Sequence, residues 1–189
     1  MATTYDLGPA AGDMARLLAG VRDDQLGAPT PCREYTLGDL IDHVNGLSVG
    51  FEMAAAKTTP EGAGGPSGDA SRLGDGWRER IAAQLDAMAK AWDDPGAWTG
   101  MTRIGGLELP AEIAGVVALD ELVVHGWDIA RATGQPYDPS AACLEPCGAM
   151  LKMAGGSNGF GAAVAVPESA PLLDHVIGLS GRDPSWSGT

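Results

Sequence analysis

The chain has 189 residues, a length that suits one domain with a core large enough to fold without disulfide or metal staples. Its net charge of −13 and pI near 4.4 repel phosphate backbones and anionic lipid, and its basic residues are scattered singly apart from Arg78 and Arg80, which excludes nucleic acid and membrane surfaces as expected partners. Hydrophobic residues make up 44% without an apolar run of spanning length, and Met1 to Asp6 lacks the basic start and apolar stretch of a signal peptide, so a cytoplasmic protein is expected.

Residues 8–23 predict a first helix, with Met14, Leu17, Leu18 and Val21 at three- and four-residue spacing. The Pro-punctuated stretch from Gly27 to Arg33 cannot continue it. Thr36 then caps a second helix, with Asp39 three positions on as in a capping box. The inward stripe of this helix is Leu37, Leu40, Ile41, Val44, Leu47 and Phe51. His43 lies between Leu40 and Leu47, so it borders the stripe. Residues 58–69 are dense in Gly and Pro and predict a flexible surface loop. A third helix is predicted over about 70–93, with Leu73, Trp77, Ile81, Leu85, Met88 and Trp92 on one side.

Met101, Ile104, Leu107 and Leu109 flank Gly105-Gly106, a turn pair that predicts a short hairpin or extended excursion. Pro110 opens a fourth helix at a position where its missing N–H does no harm, and Gly134 stops it. This helix is apolar on more than one side (Ile113, Val116, Leu119, Val123, Trp127, Ile129), which marks it as the most buried of the set. Residues 139–154 predict a fifth helix, broken by the run Gly155-Gly-Ser-Asn-Gly. A loop through Val164, Val166 and Pro167 leads to a last short helix, Leu172 to Leu179. Long helices with irregular connections predict an all-α four-helix bundle with C-terminal helical additions, in one domain over 1–189. The lack of strands between the helices excludes a parallel α/β fold.

The chain holds three cysteines, and an odd count argues against a disulfide framework. Cys143 and Cys147, at i and i+4, read as small buried hydrophobes with no partner nearby to complete a metal site. The three histidines are more informative. Glu121 and His125 are four apart on the fourth helix, so their side chains leave the same face one turn apart. A carboxylate in so apolar a segment needs positive compensation, from an imidazolium or from a metal ion. His43 borders the core of another helix, and facing helices of a bundle assemble metal sites from such side chains. Two imidazoles and one carboxylate leave a coordination position open, as in catalytic zinc sites. Asp39, one turn before His43, and Asp128, three after His125, are expected to orient the rings, and Trp127 and Asp39 to shape the pocket. His175, beside Asp174, reads as a surface histidine and a substitute ligand.

The segments Thr30-Pro-Cys-Arg-Glu-Tyr-Thr-Leu-Gly-Asp-Leu-Ile-Asp-His43 and Leu119-Asp-Glu-Leu-Val-Val-His-Gly-Trp-Asp-Ile-Ala-Arg-Ala-Thr-Gly134 resemble the metal-binding domain of the mycothiol-dependent maleylpyruvate isomerase family, within the DinB/YfiT-like superfamily. Pro167 to Trp186, with Gly-Arg-Asp-Pro at 181–184, resembles the stand-alone actinobacterial members, so the likeness runs over essentially the whole chain. The resemblance implies His43, Glu121 and His125 as ligands of one divalent metal, zinc first and nickel second. It also implies a small thiol cofactor, mycothiol or similar, held as thiolate by that metal. The isomerase carries an additional C-terminal domain that supplies part of its substrate site, and this chain is expected to stop short of it. Maleylpyruvate is therefore not the expected substrate. The leading expectation is a metal-dependent enzyme that activates a low-molecular-weight thiol for transfer to, or isomerisation of, a small electrophile. The alternative is a non-catalytic metal- or ligand-binding bundle, a dimeric stress or sensor protein. A homodimer is compatible with the sequence but not required by it.

Overall fold

A computed structural model of the chain describes residues 4–155 and 161–188. Among them are six α-helices and one antiparallel hairpin: α1 (Gly8–Ala19), α2 (Leu37–Ala55), α3 (Trp77–Trp92), β1 (Met101–Ile104), β2 (Leu107–Pro110), α4 (Ala111–Thr133), α5 (Ala141–Ala154) and α6 (Leu172–Leu179). The all-α expectation holds, with the hairpin where Gly105-Gly106 puts it. Both glycines lie at positive φ, as a two-residue hairpin turn demands.

Two helices are shorter than their apolar spacing predicts. The first ends at Ala19, and Asp23–Gln25 forms a separate 3-10 turn, although Val21 continues the buried stripe. The third begins at Trp77, after a 3-10 turn at Ala70–Arg72, because Gly74 and Gly76 between them both adopt left-handed conformations. The cap of α2 is as predicted: Thr36 accepts from the Asp39 N–H while the Asp39 carboxylate accepts from the Thr36 N–H. Pro110 is the residue before α4 rather than its first turn, and it closes β2 at the same time. Gly134 ends α4 and Gly155 ends α5, both left-handed. The remainder of the break predicted after Gly155, residues 156–160, lies outside the described residues.

In the bundle α1 and α2 each pack against both α3 and α4. The chain connections 20–36 and 93–110 therefore cross the ends of the bundle, as in bundles with long crossovers. One core runs from Leu7 through Val176, and includes Met14, Leu40, Phe51, Ile81, Trp92, Trp98 and Leu119. α4 is buried on two sides. One faces α1 and α2, and the other carries Val124 and Trp127 against Ile177 of α6. No helix among the described residues is long and apolar enough to cross a membrane.

Candidate metal centre

The contact of α2 with α4 brings His43 against Glu121 and His125. The two imidazole rings meet edge to face, with centroids 5.2 Å apart. One ligand atom from each of His43, Glu121 and His125 lies within 4.8 Å of the others. Ligand atoms around a tetrahedral zinc at about 2.0–2.1 Å stand roughly 3.4 Å apart, so these side chains close on an ion with small movements.

Each ring is oriented from behind. His125 Nδ1 is 2.9 Å from Asp128 Oδ2, and its Nε2 is 3.0 Å from Glu121 Oε2. His43 Nδ1 is 3.0 Å from the carbonyl oxygen of Pro66. A carbonyl can only accept, so His43 carries its proton on Nδ1 and turns Nε2 as a lone pair toward the site. Both histidines thus present Nε2, with the far nitrogen held by a fixed acceptor. That is how metal-ligating histidines are usually positioned.

Pro66 belongs to the loop predicted to be flexible. Its residues lack regular structure, yet the segment is packed on α2. A Cβ at Gly46 would collide with the Pro66 ring, and one at Gly68 with the Asp39 carbonyl. The two bare Cα positions let the loop approach closely enough for Pro66 to reach His43. Asp39, expected to orient His43, is instead occupied elsewhere. It accepts from Thr36 and from the Ala70 N–H at 2.8 Å, so it ties the helix cap to the same loop. Trp127, expected to shape the pocket, points toward α6, because two residues along a helix is more than half a turn from His125. His175 on α6 is half-buried, and among the described residues it joins no ligand cluster. Cys143 and Cys147 are buried as expected, with the Cys147 thiol donating to the Cys143 carbonyl.

Three residues near the site escaped sequence reasoning. Arg182, after α6, places its guanidinium on both oxygens of Asp128 at 3.0–3.1 Å. Asp128 is fully buried and Arg182 nearly so, which makes a relay from Arg182 through Asp128 to His125. A buried aspartate must find a cation, and that signal was available, but nothing in the sequence says which of nine arginines supplies it. Cys32 lies within 4.8 Å of His125 and Asp128, and burial, with the Asp128 charge, pushes its thiol pKa up. The Tyr35 ring is 5.1 Å from that of His43.

The charges of the triad are strongly coupled. Burial alone pulls the His125 imidazolium toward neutrality, but its bonds to Asp128 and Glu121 outweigh that and push the pKa up to about 9. Burial works against the Glu121 carboxylate as well, and the His125 bond more than offsets it, holding the pKa below the usual range. Burial and the His125 charge push His43 down. Without a metal, one proton therefore sits on His125 between two carboxylates, and His43 stays neutral.

A helical bundle with a His-Glu-His cluster between two of its helices is the class that fold and site define. Residues 7–130 match the family Mycothiol maleylpyruvate isomerase N-terminal domain, and the chain belongs to that family. Two curated relatives, both from Mycobacterium tuberculosis, are the uncharacterized protein MT0763 of strain CDC 1551 and the uncharacterized protein Rv0738 of strain H37Rv. Each is 32% identical over 179 residues, covering 89% of this chain and 91% of the relative. Among solved structures, the mycothiol-dependent maleylpyruvate isomerase matches with a TM-score of 0.60 at 18% identity, over 95% of this chain and 89% of that one. A histidine-to-alanine mutant of the isomerase matches at 0.58 and 16%, over 91% and 86%. The expectation that this chain stops short of the isomerase's C-terminal part is thereby corrected. The likeness continues well past residue 130, into the region where α5 and α6 pack on α4 and where Arg182 meets Asp128.

Proposed function

We propose that this chain holds one divalent metal ion through His43, Glu121 and His125 and uses it to activate a small thiol, mycothiol or a close analogue, toward a small electrophile. The observation that carries this reading is the gathering of one ligand atom each from His43, Glu121 and His125 within 4.8 Å, with an acceptor on Nδ1 of both rings. Zinc suits two imidazoles and a carboxylate, with nickel the second choice. When bound, the ion supplies the positive charge that keeps a thiol deprotonated at neutral pH.

The protein's own contributions follow from its geometry. Pro66 and Asp128 fix both rings, so little reorganisation accompanies loading. Arg182 donates to both oxygens of the buried Asp128, and Asp128 in turn holds the Nδ1 proton of His125 away from the ligand face. The two imidazoles are neutral ligands and Glu121 carries a single charge, so a dication retains net positive charge for an incoming thiolate. The isomerases that share the fold act with mycothiol, as their description states, and this supports a thiol-dependent isomerisation or transfer here.

The second reading, a non-catalytic bundle, is favoured by one observation: protonated His125 already satisfies Glu121 and Asp128 without any metal. A thiol titration separates the two. Cobalt(II)-substituted protein titrated with mycothiol is expected to develop a sulfur-to-cobalt charge-transfer band that saturates near one equivalent. An unchanged cobalt spectrum at millimolar thiol would favour the non-catalytic bundle.

A further inference from the structure

A second set of metal-ligating side chains meets on the Asp128 side of His125. The Cys32 sulfur, a ring nitrogen of His125 and a carboxylate oxygen of Asp128 lie within 4.8 Å of one another. Sulfur, nitrogen and oxygen ligands of a tetrahedral ion stand about 3.4–3.6 Å apart, so the three are within reach of one cation. The position of Cys32 is set by its turn. The buried Thr30 hydroxyl lies 2.9 Å from both the Cys32 and the Tyr35 carbonyls, and the Tyr35 N–H donates to the Cys32 carbonyl at 3.0 Å. Cys32 is half-buried, whereas His125 and Asp128 are buried, so the cluster opens to solvent through its thiol.

Asp128 retains capacity for a cation. Its Oδ2 accepts from His125 Nδ1 and from Arg182 Nε and Nη2, but Oδ1 accepts only from Arg182 Nε among the described residues. A carboxylate oxygen has two lone pairs, so Oδ1 keeps one to offer. Charge balance favours the exchange as well. A dication entering here replaces the Cys32 thiol proton and the Nδ1 proton of His125, which pass to solvent. Two protons leave for each dication, so the buried charge beside Arg182 is unchanged.

We propose that Cys32, His125 and Asp128 form a second cation position, selective for soft, thiophilic ions such as cadmium. The thiolate supplies the softness that two imidazoles and a carboxylate lack. Zinc and nickel stay on His43, Glu121 and His125, where no arginine shares the carboxylate. An ion on Nδ1 leaves the remaining ring proton on Nε2, facing Glu121. The two positions therefore compete for one ring, and a soft ion empties the triad. The second position itself needs no metal on the triad.

The test titrates metal-free full-length protein with cadmium and follows the ultraviolet thiolate-to-cadmium band. Wild type and His43→Ala should both develop the band, with saturation near one equivalent, and Cys32→Ser should show none. Iodoacetamide alkylation read by peptide mass spectrometry supplies a second readout that needs no variant. Cadmium at roughly ten times its dissociation constant should slow Cys32 modification about tenfold. Cys143 and Cys147, buried in the core, should stay unmodified with or without it. No band in the wild type, a band that persists in Cys32→Ser, or Cys32 alkylation unaffected by cadmium would overturn the proposal and leave the triad reading standing. A wild-type band that His43→Ala removes would also overturn it, by placing the thiolate on the triad's own ion.

Discussion

Loading a divalent ion onto the triad at pH 7 should expel one proton, and that proton should come from His125. In the metal-free chain the imidazolium is buried between Glu121 and Asp128, with its pKa pushed up to about 9, so at pH 7 it is essentially fully protonated. A metal needs the neutral ring, so proton and ion compete for Nε2. His43 adds no second proton, because burial and the His125 charge push its pKa below the ordinary histidine value. Two pH units below the His125 pKa correspond to about 2.7 kcal/mol of competition at pH 7. Apparent affinity should therefore rise about tenfold per unit from pH 7 toward 9 and then level off. Calorimetric titration of zinc in buffers of different ionisation enthalpy gives the proton count directly, and repeating it at several pH values gives the slope. A zinc affinity that is flat between pH 7 and 9, with no buffer-dependent heat, would show that His125 is not a ligand or is not the proton holder.

Removing the guanidinium with Arg182→Ala leaves the buried Asp128 with His125 as its remaining charged partner and should cost about 1–3 kcal/mol in urea unfolding; Arg182→Lys should restore little, because one ammonium cannot span both carboxylate oxygens. Asp120 is buried with neither oxygen hydrogen-bonded, and burial, with the Glu121 charge, raises its pKa to about 8. The folded state then holds a proton that the unfolded state releases, so stability should fall as pH rises from about 4 to 8, by on the order of 1 kcal/mol per unit. Urea melts of chelator-treated wild type and Asp120→Asn should diverge over that window, with the variant the less pH-dependent; parallel curves would contradict the assignment. Gly68→Ala places a Cβ on the Asp39 carbonyl and must push the loop outward, so zinc affinity should drop at least tenfold through loss of the Pro66 bond to His43 while the helical circular dichroism stays unchanged.

Local patterns in the chain made much of the bundle legible. The Thr36–Asp39 box, the Gly105-Gly106 turn and Gly134 each set an element boundary by short-range chemistry, and each falls within a residue or two of its predicted place. Apolar spacing alone overran where backbone conformation intervened, as at Gly74 and Gly76 before α3. At the site, the Glu121–His125 contact is local and could be read from helical geometry. The proximity of His43 depends on α2 packing against α4, and resemblance, not spacing, supplied it. The groups behind the rings were least legible. Asp128 lies three residues from His125 and was found; Pro66 lies 23 residues from His43 and Arg182 lies 54 from Asp128, and no periodicity reports such contacts. Asp39 misled because one position suits both a helix cap and a ring acceptor, and the cap takes its carboxylate.

The central claim is that His43, Glu121 and His125 together hold one metal ion. Elemental analysis of protein purified without chelators or a metal-affinity tag tests it most directly. The wild type should carry close to one equivalent of zinc or nickel, and His43→Ala, Glu121→Ala and His125→Ala should each lose it while remaining folded. Trace metal in the wild type, unchanged in all three variants, would contradict the account.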